Sequence, residues 1–165
     1  MKTITATTTI DDLDEFLADI EAISEATGAA IQCFDADYVA GDRHLRRAVE
    51  LADRAREQGT AVARDPAVEI LLYAAGRRQI NQALEMGVSE GKAGVVAVVS
   101  GGDEAAAEQR VRELLGATNA GDGVPPGDAD TIRSFFDVGD AEVGVVDGEL
   151  EDIVIERVAL LDVEK

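Results

Sequence analysis

The chain has 165 residues, a formal charge of −19 and a pI near 4.2. That length suffices for one domain with a core of its own, and an apolar share of 46% excludes a disordered acidic tail. Aromatics make up 4% with no tryptophan, so the core must be aliphatic, and a single Cys and a single His exclude an internal disulfide and a His/Cys zinc cluster.

Residues 3 to 9 alternate and are β-rich, which predicts a strand. Asp11 or Asp12 can cap a helix carrying Leu13, Phe16, Leu17, Ile20 and Ile23, which Gly28 ends. Residues 29 to 34 form a short apolar strand, and residues 35 to 41 a turn-prone loop. Residues 43 to 58 predict a helix with Leu45, Ala48, Val49, Ala52 and Ala55 on its buried face, stopped by Gly59. Asp65 followed by Pro66 is a cap with a first-turn proline, opening a helix through Leu72 and Tyr73. Gly76 either kinks that helix or separates it from a second one over residues 77 to 86, ended by Gly87. Leu71, Leu72 and Ile80 read as core. Residues 93 to 100 are a near-continuous apolar run, as in a central strand. Residues 104 to 115 are an amphipathic helix, residues 116 to 127 a glycine-rich flexible loop, and residues 128 to 136 and 150 to 161 further helices. In the last helix Ile153, Ile155, Val158 and Leu160 spread over more than one face. The pattern has no repeat and no linker, so it predicts one α/β or α+β domain over residues 1 to 165, a small sheet flanked by helices.

No apolar run approaches the roughly 18 residues of a membrane span. Residues 1 to 4 lack the apolar stretch of a signal peptide. Together with a lone Cys33 this predicts a cytoplasmic protein without membrane contact. Twelve of the 15 basic residues are arginine. An acid-rich, lysine-poor chain fits adaptation to molar salt, where the Debye length falls to about 3 Å and self-repulsion is screened. Charge is unevenly placed. Residues 43 to 78 hold eight arginines against five acids, while the rest of the chain is strongly acidic. Such a basic island is a candidate site for an anionic partner, or else a helix pair laced by ion pairs such as Arg46/Glu50 and Glu50/Arg54.

Within the island, Arg77, Arg78 and Gln79 follow the Gly76 break directly. Guanidinium forks bind phosphates bidentately and stack on bases, so this group is a candidate nucleic-acid contact, with Arg78 projecting from a new helix start. Other features are weaker. Asp35 and Asp37 could work as an acid–base pair or hold magnesium, yet loop aspartates mostly cap turns. His44 could be a general base, but no nucleophile has a frame beside it; a positioned polar contact suits it better. Ser100-Gly101-Gly102 lies where a phosphate loop could sit but lacks its lysine and glycine spacing. Cys33 reads as a buried small hydrophobe. No metal, cofactor or catalytic constellation emerges.

Two segments carry a resemblance. Phe34-Asp35-Ala36-Asp37-Tyr38-Val39-Ala40-Gly41-Asp42-Arg43-His44-Leu45 and Glu69-Ile70-Leu71-Leu72-Tyr73-Ala74-Ala75-Gly76-Arg77-Arg78-Gln79-Ile80 resemble the signatures of the kinase-binding regulatory subunit of the KEOPS complex, the TPRKB (PRPK-binding) family. Ile155-Glu156-Arg157-Val158-Ala159-Leu160-Leu161 is similar to that family's C-terminus, and the acidic surface fits a haloarchaeal member. The resemblance implies a non-catalytic subunit in tRNA threonylcarbamoyladenosine modification. Such a subunit binds the kinase-like (PRPK-type) subunit and the 3′ CCA end of tRNA, and meets the TsaD-like transferase subunit indirectly through the complex. It also implies that Arg78 and Gln79 contact the tRNA end, with Arg77 and the Gly76 backbone close by. Arg43 and His44, on the other signature, would line the same pocket. A pure protein–protein adaptor and a small enzyme using Asp35, Asp37 and His44 remain as alternatives. The loop 116 to 127 has no counterpart in this resemblance.

Overall fold

The computed structural model describes residues 1–117, 123–139 and 150–164. Strand β1 (Lys2–Ile10) is followed by α1 (Leu13–Thr27), β2 (Ala30–Asp35) and a 3-10 turn (Ala36–Tyr38). Then come α2 (Asp42–Gln58), α3 (Pro66–Ala75), the single turn α4 (Ile80–Ala83) and a second 3-10 turn (Leu84–Met86). β3 (Gly91–Ser100), α5 (Glu104–Leu115), α6 (Ala129–Phe135) and α7 (Leu150–Glu164) complete the described chain.

The sheet has the order β1-β3-β2, with β3 antiparallel to both neighbours. β1 and β2 are therefore parallel to each other, joined through α1, with β3 inserted between them. This split β-α-β arrangement settles the fold class as α+β. It also explains the apolar run predicted for β3. Val95, Ala97 and Val99 pack under α1 and α5, on Phe16, Ile20, Ile23, Ala107 and Val111. Val96 and Val98 face the opposite layer with Phe34, Leu45, Ala48 and Leu71. A strand covered on both faces cannot alternate polar and apolar.

The predicted caps hold at α1 and α3, and α6 starts on a capping aspartate of its own. Asp12, not Asp11, accepts from Glu15 N–H at 3.1 Å. Asp65 accepts from Ala67 N–H at 2.8 Å with Pro66 in the first turn, and Asp128 accepts from Thr131 N–H at 3.0 Å. α2 begins differently. Its cap residue is Gly41, which has no side chain, and Glu151 of α7 accepts from His44 N–H instead, at 3.4 Å. A carboxylate from another element thus sits at the positive end of α2.

α3 is the centre of the second layer: Glu69 through Ala75 are all buried. A helix enclosed on every side has no amphipathic stripe, and α2, α7 and β2 pack around it. α7 buries Ile153, Val154, Val158 and Leu161 in the same core, while Leu160 and Val163 are exposed. Of the expected core positions, Leu71 and Leu72 are buried, but Ile80 is 47% exposed and Leu17 likewise 47%. Ile80 opens a one-turn helix of which Ala83, not Ile80, enters the core. The expected helix over residues 77 to 86 is thereby corrected to a turn, α4 and a 3-10 turn. Of the expected loop 116 to 127, residues 118–122 lie outside the described residues. Its end approaches the first signature, where Gly127 N–H donates to Val39 O at 2.8 Å and Asp128 N–H to Asp37 O at 3.0 Å.

Candidate nucleic-acid and partner interface

α3 ends in a Schellman motif. Gly76 adopts the left-handed conformation (φ 61), its N–H bonds Tyr73 O and Arg77 N–H bonds Leu72 O, each at 3.0 Å. Glycine is favoured here by its left-handed φ, whereas a Cβ would make only ordinary contact with Arg157 O, at 3.4 Å. Arg77 to Gln79 then form a turn in which Arg78 and Gln79 are exposed, and Gln79 caps α4 by position without a side-chain bond. Arg78 therefore lies two residues ahead of a four-residue helix, not at the start of a longer one.

The motif leaves the Ala74 carbonyl unclaimed, and His44 takes it. His44 is wholly buried. Its Nδ1 accepts from Ala40 N–H at 3.1 Å, which fixes the proton on Nε2, 2.7 Å from Ala74 O. The ring also meets Phe136 edge-to-face at 5.6 Å. Burial pushes the imidazole down to about 4 against the raising pull of the Ala74 bond. His44 thus ties the loop of the first signature to the helix end of the second.

The two adjacent arginines differ. Arg77 is half-buried; its guanidinium donates to Phe135 O and lies 4.8 Å from the centre of the Phe135 ring. Arg157 of α7 donates to Phe136 O (3.3 Å) and Asp137 O (3.4 Å). Two guanidinium groups therefore hold the carbonyl end of α6, the negative pole of that helix. Arg78 and Gln79 are exposed.

Arg77 forms a wall shared by two clefts. One, of about 650 Å³, is lined by Arg77, Asn81, Gln82, Glu85, Ser134 and Phe135. The other, of about 370 Å³, is lined by Gly76, Arg77, Phe136, Asp137, Arg157 and Leu160. Arg43 and His44 line neither. Arg43 points outward to Glu151 (3.0 Å) and Asp152 (2.9 Å), and His44 sits beneath the surface.

Much of the basic island is neutralised. Arg46 pairs with Asp42, Arg47 with Glu50 and Arg54 with Asp162, so the expected Arg46/Glu50 and Glu50/Arg54 pairs are replaced. Arg54 and Tyr73 share the Asp162 carboxylate, Tyr73 O–H donating at 2.7 Å. Burial first, then that bond, raises the Tyr73 phenol. Asp35 is spent on the N–H of Asp37 at 3.0 Å, and burial pushes its carboxyl up. Cys33 is buried, its thiol pushed up to about 12 by desolvation. Among the described residues no group of three or more His, Cys, Asp or Glu could hold a metal ion, and no helix is long and apolar enough to cross a membrane.

Sequence reasoning missed several residues. Glu69 is fully buried and accepts from Val62 and Ala63 N–H at 3.0–3.2 Å, fastening the loop before α3. Its signal was a lone charge inside an apolar run. Arg157, Phe135 and Phe136 gave no signal of their own, because their role depends on α6 docking against the Gly76 turn.

No curated protein matches the chain. The family model described as kinase binding protein CGI-121 matches residues 8–162, which include the Gly76 turn, His44 and Arg157. The chain belongs to the CGI-121 family of kinase-binding proteins.

Proposed function

We propose that this protein is a non-catalytic regulatory subunit of the KEOPS complex. In this reading it binds the PRPK-type kinase-like subunit, reaches the TsaD-like subunit through the complex, and takes the 3′ CCA end of tRNA at the Gly76–Gln79 turn. Arg78 and Gln79 make the direct contacts, Arg77 and the Gly76 backbone flank them, and Arg43 and His44 support the turn from the first signature. The observation that carries the reading is the exposed Arg78-Gln79 pair beside a polar cleft, in a chain of a kinase-binding family whose charge is otherwise strongly negative. An unpaired strand end can be splayed, stacked on guanidinium planes and read at its base edges.

A second reading, a protein–protein adaptor without RNA binding, draws on a different observation: Arg43, Arg46, Arg47 and Arg54 are all ion-paired within the chain. The enzyme reading loses its base, since both His44 nitrogens are committed to the backbone.

One experiment separates them. The chain is co-expressed with a PRPK-type protein, purified in molar KCl, and titrated with tRNA carrying or lacking CCA. The expected result is co-elution, and a shift that CCA removal or Arg78→Ala weakens by roughly 5- to 100-fold. Co-elution without binding of either tRNA selects the adaptor, equal affinity for intact and trimmed tRNA overturns the assignment of the 3′ end to the turn, and separate elution at micromolar concentration overturns the subunit assignment.

A further inference from the structure

We propose that the cleft between α4 and α6 is a slot for one unpaired nucleobase bearing an exocyclic amino group, and that Glu85 selects it. The proposal rests on the reading of the Gly76–Gln79 turn as a nucleic-acid contact and adds the ligand group and the residue that discriminates.

The cleft's volume, about 650 Å³, lies in the range of small-ligand sites. Its lining is unusual for such a site: a guanidinium, two primary amides, a carboxylate, a hydroxyl and one aromatic ring, with little aliphatic surface. Two features decide the chemistry. First, Glu85 is a carboxylate inside the cleft, which repels a phosphate and leaves the phosphodiester to Arg78 outside. Second, the cleft offers a flat cation. The bond from Arg77 to Phe135 O and the 4.8 Å approach of its guanidinium to the Phe135 ring hold that group in place. Bases stack on such planes.

The Tyr38 ring is set edge-to-face on Phe135 at 5.4 Å, and burial first, then the charge of Glu85 nearby, pushes the Tyr38 phenol up. A carboxylate only accepts hydrogen bonds, so whatever faces it must donate. The exocyclic amines of adenine, cytosine and guanine donate there; uracil lacks such an amine and offers only its ring N3–H. Asn81 and Gln82 can each offer a donor and an acceptor to the remaining edge. Tyr38 belongs to the first signature segment and Arg77 to the second, so the slot gives both segments a part in one site.

The test uses the full chain in molar KCl and short single-stranded RNAs that differ only in the last nucleotide. Terminal adenosine is compared with purine riboside, which lacks the amine alone, and cytidine with uridine. Fluorescence anisotropy reads the affinities for wild type, Glu85→Ala and Arg78→Ala. The expected result is a preference of about tenfold for the amine-bearing member of each pair. Glu85→Ala erases this preference without lowering Tm, because Glu85 is exposed. Arg78→Ala lowers all affinities and keeps the preference. Binding that depends on Arg78 but ignores the amine overturns the slot and leaves the turn's assignment standing. A preference that survives Glu85→Ala also overturns it. Failure of every RNA to bind overturns the slot and the reading beneath it together.

Discussion

Under α1 and α5 the sheet is covered by apolar side chains throughout, Cys33 included, whereas the α2, α3 and α7 side encloses His44, Glu69 and the Tyr73 hydroxyl. Among the described residues both buried polar side chains lie on that second side. The difference is one of task. Apolar packing fills space but does not fix a loop to better than its own tolerance, while a hydrogen bond in a dry interior fixes both partners. His44 fixes the Gly76 end of α3, Glu69 fixes the loop before it, and Asp162 links Tyr73 to Arg54. The first side holds the sheet together, and the second side aims a turn.

Removal of one large residue from each side sharpens that contrast. Ile20→Ala leaves a cavity under the sheet and is expected to cost about 2–5 kcal/mol. His44→Leu strands the Ala40 N–H and the Ala74 carbonyl, at about 1–3 kcal/mol each. Urea unfolding should place the two variants in the same range, but only His44→Leu should also weaken partner or RNA binding by the folded protein. If Ile20→Ala weakens binding as much at matched stability, the division between the two sides is wrong.

A pair of milder variants separates the two His44 bonds. Asparagine can mimic Nδ1 and keep the Ala40 contact, while glutamine can reach as Nε2 does and keep Ala74. His44→Gln should therefore bind closer to wild type than His44→Asn. The imidazole also carries a pH signature. It stays neutral in the folded state down to about 4, against an ordinary 6.5. The unfolded chain thus takes up a proton first, and stability drains away as pH falls from about 6.5 to about 4, by on the order of 3 kcal/mol. His44→Gln should lose that slope, leaving only the carboxylate contribution. Parallel unfolding curves for wild type and His44→Gln across this range would mean that the ring is hydrated or already charged.

The legibility of these features in the sequence tracks how local their causes are. Gly28, Gly59, Gly76 and the Asp65-Pro66 cap act within a few residues, and the helix limits they predict are observed. Burial of His44 was legible in principle, because residues 44, 48, 51 and 55 form one helical stripe and all four are buried. The predicted face began at Leu45 and omitted both His44 and Leu51. The half-burial of Arg77 was not legible, since it is made by the carbonyl end of α6, which lies 58 positions away at Phe135. Ile80 looked like core for the same reason: periodicity reports a face, not whether a layer exists to cover it.

That contrast between neighbouring arginines gives the smaller effects. Arg77→Ala removes a charge-assisted bond to a helix end and a ring contact, with an expected cost of about 1–2 kcal/mol and a loosened α6. Hydrogen exchange should report faster opening at residues 132 to 136. Unchanged exchange there would show that Arg157 alone holds the helix end.

Arg78→Ala should be the smallest change in stability and yet the clearest change in binding. Arg78 is exposed and precedes a one-turn helix, so its removal should alter the unfolding free energy by less than about 0.5 kcal/mol. Its contribution to RNA binding should also have a distinctive salt response. Attraction to phosphate fades with salt through counterion release, whereas stacking and base-edge bonds persist. A site built on a few arginines in an acidic chain has little long-range attraction to lose, so wild-type affinity should fall gently from 0.5 to 3 M KCl (roughly the range in which the Debye length is already near or below 3–4 Å). Arg78→Ala should shift the curve down with little change in slope. A steep wild-type slope that Arg78→Ala flattens would identify Arg78 as a plain phosphate contact and move base reading elsewhere on the turn.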